Sequence, residues 1–389
     1  MADAQKSDQQ HSSDNQHTAA NAGDTASVTS PTDDVHLSVH GSVGHIVLDR
    51  PKALNSLNTD MCAAIENALT AWSTDPAVDV VVITSSTPKA YCAGGDVRRV
   101  RELQLEGTEE GRAAADEFFT NEYRMNALLA EFPKPFVAVM NGIVMGGGLG
   151  ISLHGSHRVI TERTWASMPE MAIGFSTDVG VSYAMQHLRQ PCGDPDGTTS
   201  NGLALFMGLT GYRFTQADML WSGVATHIIS SHEVENVVAA IDEHGLDSAL
   251  DTYARPAAEA GPSYLARHIE EINDIFSEGD WFDIEAKLDK GGYDKELIAV
   301  IDNLLSSANP SSLVATTLLF RANEKAEDLR QGLKNEFEVG KVLRYQENFA
   351  EGVRAVLVDK DMRASFDPHV TGEVNPEPFE EALAAAQSE

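Results

Sequence analysis

The chain has 389 residues, of which 42% are hydrophobic, and it carries a formal net charge of -31. Such an acidic chain lacks the basic face that a nucleic acid requires, so we expect no nucleic-acid partner. No apolar run approaches the roughly 20 residues of a membrane-spanning helix, so we expect a soluble protein without a membrane partner. The three cysteines, Cys62, Cys92 and Cys192, show neither metal-site spacing nor a disulfide framework, which favours a reducing compartment.

The N-terminal segment, residues 1–34, is polar and acidic and contains no aromatic residue. It has neither the apolar core of a signal peptide nor the arginine-rich character of a mitochondrial transit peptide. We therefore predict a disordered acidic tail and a cytoplasmic protein.

The next part of the chain, residues 35–225, alternates strand and helix patterns. Alternating polar and apolar residues, or short apolar runs, predict a hairpin and further strands at 36–49, 80–84, 135–140, 158–161, 164–167 and 225–229. Helical spacing or capping residues predict helices at 59–72 and 97–132, the second broken near Gly107 and Gly111.

The remainder of the chain is mostly helical in pattern. A loop at 190–201 precedes helices predicted at 202–208, 215–221, 263–276, 283–288, 294–307 and 311–346. We assign residues 35–225 to a core, 226–368 to a helical C-terminal region and 369–389 to an acidic C-terminal tail with at most one short helix.

Two glycine turns, each between a buried strand and a helix, carry the main chemical signal. The first is KAYCAGGD at 89–96, and the second is NGIVMGGGLG at 141–150. Each turn can present a backbone N–H group to an anion, because glycine allows the close approach. One such turn alone favours a purely structural interpretation, whereas two together can form an oxyanion hole made of backbone groups.

These turns, followed by MPEMAIG at 168–174 and DVG at 178–180, resemble the enoyl-CoA hydratase/isomerase (crotonase) superfamily. The resemblance extends to its 3-hydroxyisobutyryl-CoA hydrolase branch, which also has a late motif similar to EGVRAVLVDKD at 351–361. It implies an α/β fold, a crotonase-like spiral of ββα repeats with a mostly helical C-terminal region, although no internal sequence repeat is visible.

The resemblance also implies site residues. Gly95 and Gly147 would supply the oxyanion hole, and Glu170 and Asp178 would be catalytic. Glu122 matches a glutamate that contacts the substrate in the hydrolase branch. From sequence alone, Glu170 could equally cap a turn, Asp178 could cap the segment beginning at Val179, and Glu122 could be an ordinary residue of a helix surface.

Two further segments match those that line coenzyme A in this superfamily. The matching residues are Lys52, Ala53, Leu54, Lys89 and Ala90. Solvated lysines beside turns are nearly as good an interpretation of these positions. The histidines show no metal spacing, so we expect no metal site and no cofactor beyond the coenzyme A of the substrate.

Hydratases of this superfamily have a second glutamate at the position of Gly150. Its absence argues against hydration and favours hydrolysis of a short 3-hydroxyacyl-CoA thioester, such as 3-hydroxyisobutyryl-CoA from valine breakdown. Two alternatives stay open: an enoyl-CoA hydratase or isomerase, and a non-catalytic acyl-CoA-binding protein. A homo-oligomer is compatible with the sequence, which does not fix the oligomeric state.

Overall fold

The computed structural model describes residues 28–188 and 200–388. The predicted N-terminal tail falls mostly within residues 1–27, and the predicted loop at 190–201 falls mostly within residues 189–199. For those residues, and for Cys192, the predictions lie outside the described part of the chain. Cys62 and Cys92 are buried free thiols.

Two sheets form the framework of the described residues. The larger sheet comprises β1 (Val35–His40), β2 (Val43–Leu48), β3 (Val80–Ser85), β5 (Phe136–Met140), β7 (His157–Thr161) and β9 (His227–Ile229), in that order. Its strands are parallel except for the antiparallel pair β1 and β2, which confirms the predicted hairpin. The smaller sheet is parallel and comprises β4 (Ala90–Cys92), β6 (Ile143–Met145) and β8 (Trp165–Ser167).

The chain passes repeatedly from the larger sheet to the smaller one and then into a helix. The strand β3 leads to β4, β5 leads to β6, and β7 leads to β8. This order confirms the predicted spiral of ββα repeats. It places the end of β4 and the end of β6 side by side, because these strands are neighbours in a parallel sheet.

Helices enclose the sheets on both sides. Those of the first part are α1 (Thr59–Thr74), α2 (Val97–Leu105), α3 (Glu109–Ala130), α4 (Gly147–Gly150), α5 (Val181–Ala184), α6 (Asn201–Thr210) and α7 (Gln216–Ser222). Those of the second part are α8 (Val234–His244), α9 (Leu246–Tyr253), α10 (Tyr264–Phe276), α11 (Trp281–Lys290), α12 (Lys295–Leu305), α13 (Pro310–Asn323), α14 (Leu329–Arg344), α15 (Glu347–Val353) and α16 (Glu377–Ser388). A single π-helical turn, Arg354–Val358, follows α15.

The predicted break in the helix at 97–132 is confirmed between α2 and α3. It falls at residues 106–108, because the side chain of Thr108 accepts a hydrogen bond from the N–H of Gly111 and starts α3. Gly111 therefore lies inside the second helix rather than in the break.

The prediction of one helix over residues 311–346 is wrong. The chain instead forms α13 and α14, separated by residues 324–328. The side chain of Asp328 accepts a hydrogen bond from the N–H of Gln331 and caps the new helix. The amide of Asn335 donates to Oδ1 of Asn323 at 2.8 Å, so the two helices fold back on each other.

The segment predicted as an acidic C-terminal tail forms α16, which packs against α14. Apolar residues recur at helical spacing along it, and four of them are buried: Phe379, Ala382, Leu383 and Ala386. Such spacing allows one face of a helix to join a core even when the other face is acidic.

The boundary drawn at residue 225 cuts through the larger sheet, because β9 pairs with β7. One buried apolar cluster also extends from Val35 to Leu383 and includes residues of both regions. The sheet region and the helical region therefore share a core. In the described residues, no helix is long and apolar enough to cross a membrane.

Candidate active site

The first glycine turn joins β4 to α2 and ends at Asp96, whose side chain caps that helix. The preceding loop fixes this turn, because the N–H of Leu57 donates to the carbonyl of Gly94 and the N–H of Asp96 donates to the carbonyl of Leu57. Gly94 has a φ of +105°, which favours glycine. Gly95 lies between these two hydrogen-bonded residues, Gly94 and Asp96. Its own N–H has no acceptor within the described residues.

The second glycine turn joins β6 to α4. Gly146 has a φ of +47°, and its N–H donates to the carbonyl of Ser167, while the N–H of Gly147 finds no acceptor in the described part of the chain. A Cβ atom placed on Gly147 would lie 3.3 Å from the amide nitrogen of Gly95. The structure thus brings together the two N–H groups that the sequence predicted as an oxyanion hole.

Carboxylates crowd this pair of turns. Glu122 on α3 is 1% exposed, Glu170 in the 3-10 turn Glu170–Ile173 is 6% exposed, and Asp178 is 5% exposed. A Cβ atom placed on Gly147 would lie 2.5 Å from Oε1 of Glu122, and one placed on Gly146 would lie 2.9 Å from Oε1 of Glu170. Both positions therefore require glycine, because a Cβ atom would lie too close to a glutamate oxygen. Both glutamates face the turn.

Asp178 is held in place by its neighbours. Its Oδ2 accepts a hydrogen bond of 2.7 Å from the hydroxyl of Tyr123, which lies on α3 beside Glu122. The interpretation of Asp178 as a helix cap is wrong, because the N-cap residue of α5 is Gly180, which has no side chain. The carboxylate of Asp178 instead lies among the buried groups of the site.

Three buried oxygen atoms of this site have no hydrogen-bond partner among the described residues: Oε1 of Glu122, Oε2 of Glu170 and Oδ1 of Asn126. Buried polar atoms without partners are uncommon and costly, so their clustering is typical of a site that binds a polar ligand. Sequence reasoning missed Asn126 and Tyr123. The only signal was the position of Asn126 one helical turn after Glu122.

Burial dominates the ionisation of these carboxyl groups. It raises the pKa of Glu170 well above its ordinary value, and the negative charge of Asp178 raises it further. Burial raises the pKa of Asp178 to about 7, although the hydrogen bond from Tyr123 opposes this change. The pKa of Glu122 is also raised by burial and by Asp178. With a pKa of about 7, the carboxyl group of Asp178 can exchange protons near neutral pH, as general acids and bases do.

The two segments predicted to contact coenzyme A lie next to each other and next to Gly95. The side chain of Asn55 donates to the carbonyls of Ala90 and Tyr91 at 3.3 and 3.0 Å, and the N–H of Ala93 donates to the carbonyl of Leu54 at 3.0 Å. The remaining predicted residues differ in exposure: Lys52 and Lys89 are exposed, Ala53 is half-buried and Ala90 is buried. Their contact with coenzyme A stays a prediction.

Gly150, the position of the second hydratase glutamate, has no room for a side chain. A Cβ atom there would lie 2.7 Å from Cβ of Val179 and 3.0 Å from Nδ2 of Asn126, which donates to the carbonyl of Gly150. Val179 and Asn126 thus occupy the space into which a side chain at this position would extend.

Other features of the molecule lie apart from these carboxylates. Two groups of residues in the described chain are close enough to hold a metal ion, and neither contains a residue of the site: His40, His45 and Asp242, and His268, Asp294 and Glu296. A cavity of about 430 Å³ lies on the other side of the 3-10 turn that carries Glu170, and its lining includes Ala172, Pro310, Met362 and Phe366.

A ββα spiral with two free N–H groups beside a buried carboxylate defines a protein that can polarise a carbonyl group. A family model described as enoyl-CoA hydratase/isomerase matches residues 43–383. The chain therefore belongs to the enoyl-CoA hydratase/isomerase family, as the motifs indicated.

Similar proteins are known over most of the chain. It is 34% identical over 350 residues to the mitochondrial 3-hydroxyisobutyryl-CoA hydrolase of Xenopus tropicalis, a match that covers 87% of this chain and 85% of that protein. It is 33% identical over 359 residues to the human protein of the same name, covering 90% and 88%. Because these relatives are mitochondrial, the predicted cytoplasmic location is not confirmed.

Two solved structures share the fold. One, a carnitinyl-CoA dehydratase from Mycobacterium thermoresistibile, superimposes with a TM-score of 0.80 at 32% identity and covers 90% of this chain and 96% of its own. The other, an enoyl-CoA hydratase from Rhodobacter sphaeroides 2.4.1, has a TM-score of 0.77 at 33% identity and covers 90% and 97%. They confirm the crotonase-like architecture, including its helical C-terminal region.

Proposed function

We propose that this protein hydrolyses a short 3-hydroxyacyl-CoA thioester, converting 3-hydroxyisobutyryl-CoA and water to 3-hydroxyisobutyrate and coenzyme A in valine breakdown. The observation that carries the proposal is the pair of N–H groups of Gly95 and Gly147 beside the buried carboxylate of Glu170. Within the described residues, these N–H groups and Oε2 of Glu170 have no hydrogen-bond partner. The similarity to 3-hydroxyisobutyryl-CoA hydrolases over most of the chain supports it.

In the proposed reaction, the thioester carbonyl oxygen lies between the N–H groups of Gly95 and Gly147. These donors are fixed by the turns, so they stabilise the negative charge that develops on the oxygen without any rearrangement. A loss of one such donor typically costs about 10²–10³-fold in rate. The hole thus lowers the barrier to attack on the carbonyl carbon.

Glu170 drives that attack in its ionised form. It takes a proton from a water molecule that adds to the carbonyl carbon, or its own oxygen adds to form an anhydride that water then hydrolyses. In both routes the carbon–sulfur bond breaks, and the thiolate of coenzyme A leaves and takes up a proton. The raised pKa of Glu170 makes it a stronger base than an ordinary carboxylate.

The other buried polar groups suit a hydroxylated acyl group. Glu122 and Asn126 lie one helical turn apart on α3 and each has an oxygen without a partner. A substrate hydroxyl group can donate to one of them, and Asp178 orients the polar groups around it. Thioester hydrolysis needs only water as a second substrate, so the proposal contains no cofactor. The oligomeric state and the absence of nucleic-acid and membrane partners remain predictions.

Hydration or isomerisation of an enoyl-CoA is the second candidate, because the two solved structures at 32% and 33% identity are named as a dehydratase and a hydratase. The lack of room for a side chain at Gly150 counts against hydration by two carboxylates. A non-catalytic acyl-CoA-binding protein is disfavoured because the relatives that match most of the chain are named as hydrolases.

The test is a panel of acyl-CoA esters incubated with the purified protein. A thiol reagent reports free coenzyme A, and loss of the enoyl absorbance reports hydration. We expect thiol release from 3-hydroxyisobutyryl-CoA and no change in a short enoyl-CoA. Hydration without thiol release, or binding without turnover, would contradict the proposal. A single turnover in H₂¹⁸O then tests for the anhydride route. Label in Glu170 and none in the product shows an anhydride that water attacks at the Glu170 carbonyl carbon, whereas label in the product fits either direct attack or attack of water on the acyl carbon of the anhydride.

A further inference from the structure

Glu336 is a fully buried carboxylate in the helical region and belongs to none of the motifs that define the site. It lies on α14, and both of its oxygens receive hydrogen bonds from the turn after Asp178. Oε2 accepts from the N–H of Gly180 at 2.7 Å, and Oε1 accepts from the N–H and hydroxyl of Ser182 at 3.2 and 2.5 Å. The carboxylate therefore binds two backbone N–H groups within four residues of Asp178.

The turn that Glu336 holds has an unfavourable backbone. Val179 has a φ of +54°, a left-handed conformation that a β-branched residue rarely adopts. Such strain persists only where the surrounding contacts impose it. Here, the contacts are Glu336 on one side and His154 on the other, whose Nε2 lies 2.8 Å from the carbonyl oxygen of Val179.

A chain of amide groups orients these bonds. Nδ2 of Asn323 donates to the hydroxyl oxygen of Ser182 at 2.5 Å, so that hydroxyl must direct its own proton to Glu336. Nδ2 of Asn335 in turn donates to Oδ1 of Asn323 at 2.8 Å. The donors around Glu336 are thus fixed by α13 and α14, and only a group that accepts with both oxygens matches them.

We infer that Glu336 is a positioning residue, which holds the strained turn at residues 178–182 and thereby directs the carboxylate of Asp178 into the active site. The catalytic part of this inference rests on the proposed function. Glu336 itself does not contact the reacting atoms. Its hydrogen bonds instead connect the helical region to the turn that follows Asp178, one of the two carboxylates predicted to be catalytic.

The test compares Glu336→Gln with Glu338→Gln, a half-buried glutamate on the same helix for which the described structure shows no hydrogen bond or ion pair to the turn. Glutamine has the same shape but replaces one acceptor oxygen by an NH₂ group, which must face a donor of the turn. We expect Glu336→Gln to lower kcat by about 10- to 100-fold through displacement of a catalytic group, with KM changed by less than about threefold. Glu338→Gln should match the parent protein.

A second measurement is independent of any activity. Hydrogen–deuterium exchange of peptides covering residues 175–185 should accelerate in Glu336→Gln and stay unchanged in Glu338→Gln, because the N–H groups of Gly180 and Ser182 lose an acceptor. Unchanged exchange, or exchange that accelerates across the whole chain, would overturn the inference. Ser182→Ala, which removes one donor and leaves the Gly180 bond, should give a smaller local effect.

The two measurements separate the two proposals. Local acceleration of exchange in a protein that shows no thioesterase activity would refute the proposed function and leave the contact of Glu336 with the turn established. Thioesterase activity that is unaffected by Glu336→Gln would refute the positioning role alone.

Discussion

The sheet region and the helical region contribute to the site by different physical means. The sheets supply backbone donors, because the adjacent parallel strands β4 and β6 end at neighbouring glycine turns and leave the N–H groups of Gly95 and Gly147 free. The helical region supplies side chains that act through other groups, as Glu336 does on the turn after Asp178. The first contribution is local in sequence, whereas the second depends on residues more than 150 positions apart.

The helical region also acts on charge. Arg344 on α14 is 1% exposed, bonds to Asp116 and lies over the ring of Phe119. Its positive charge lowers the pKa of Asp178 and so opposes the effect of burial. The sheet region thus carries the two backbone donors, and the helical region adds a charge that lowers the pKa of Asp178.

The largest effect is expected at Glu170, the carboxylate that faces the second glycine turn. Glu170→Gln should lower kcat by about 10²-fold or more, because it removes the general base or nucleophile. Substrate binding should persist, as measured by the dissociation constant of the acyl-CoA ester. Near-normal turnover in this variant would remove Glu170 from the mechanism.

The stability of the same variant provides a control for misfolding. The folded protein raises the pKa of Glu170, so the native state holds this proton more tightly than the unfolded chain. Wild-type stability therefore falls as pH rises from the unfolded-state pKa through the folded-state value. Glutamine does not ionise, so the variant does not lose stability as pH rises. Its Tm should therefore exceed that of the wild type at pH 8, and by a smaller amount at pH 5. A lower Tm at both pH values would indicate structural damage.

The backbone contribution is tested at the second glycine turn. Gly147→Ala places a Cβ atom 3.3 Å from the amide nitrogen of Gly95 and 2.5 Å from Oε1 of Glu122, in the space between the donors. We expect about a 10²–10³-fold loss of kcat, comparable to the loss of an oxyanion-hole donor. The matched control is Gly372→Ala, because a Cβ atom there has no neighbour within 4 Å in the described structure. Equal activity of the two variants would place the oxyanion elsewhere.

The same contrast explains what the sequence could predict. Each glycine turn is a continuous stretch of sequence, and its place between a strand and a helix determines where its N–H groups point. Gly95 and Gly147 could therefore be predicted as neighbouring donors from these turns, whereas the role of Glu170 was implied by the resemblance to the crotonase superfamily. The resemblance to the crotonase superfamily implied the ββα spiral, with which the alternation of predicted strands and helices agreed.

The side chains supplied by helices could not be predicted in this way. Nothing in the sequence around Glu336 indicates that it faces a turn 154 to 156 residues away. The division between α13 and α14 was missed because apolar spacing continues through residues 311–346, and the fold-back depends on tertiary contacts such as that of Asn323 with Asn335. The buried face of α16 was missed because its acidic composition outweighed its apolar spacing.

A smaller effect concerns recognition of the substrate hydroxyl group. Unpaired buried polar groups cost about 1–3 kcal/mol each, so kcat/KM for 3-hydroxyisobutyryl-CoA should exceed that for isobutyryl-CoA about tenfold or more. Glu122→Leu should reduce this ratio, because it replaces an unpartnered buried carboxylate by an apolar group. Glu117→Leu, at an exposed position of the same helix, should preserve the ratio. Equal kcat/KM values for the two substrates in the wild type would make a general short-chain thioesterase the better description.

The smallest expected effect is a displacement of the pH profile, which shows how the two carboxylates of the site influence each other. In the wild type, kcat/KM should fall as pH decreases through the raised pKa of Glu170, because the protonated group cannot attack or accept a proton. Burial is the main cause of the raised pKa, and the charge of Asp178 is the second, followed by smaller contributions from Glu122 and Glu336. Asp178→Asn removes the second cause.

We therefore expect Asp178→Asn to move the acid limb of the profile to lower pH, in addition to any loss of maximal rate. The matched control is Asp274→Asn, because the exposed Asp274 also accepts a 2.7 Å hydrogen bond from a tyrosine, Tyr293, but lies outside the site. This control removes the same net charge and the same type of hydrogen bond, so its profile should coincide with that of the wild type. An acid limb that moves to higher pH in Asp178→Asn would show that Asp178 itself must be ionised to support Glu170, rather than opposing its ionisation.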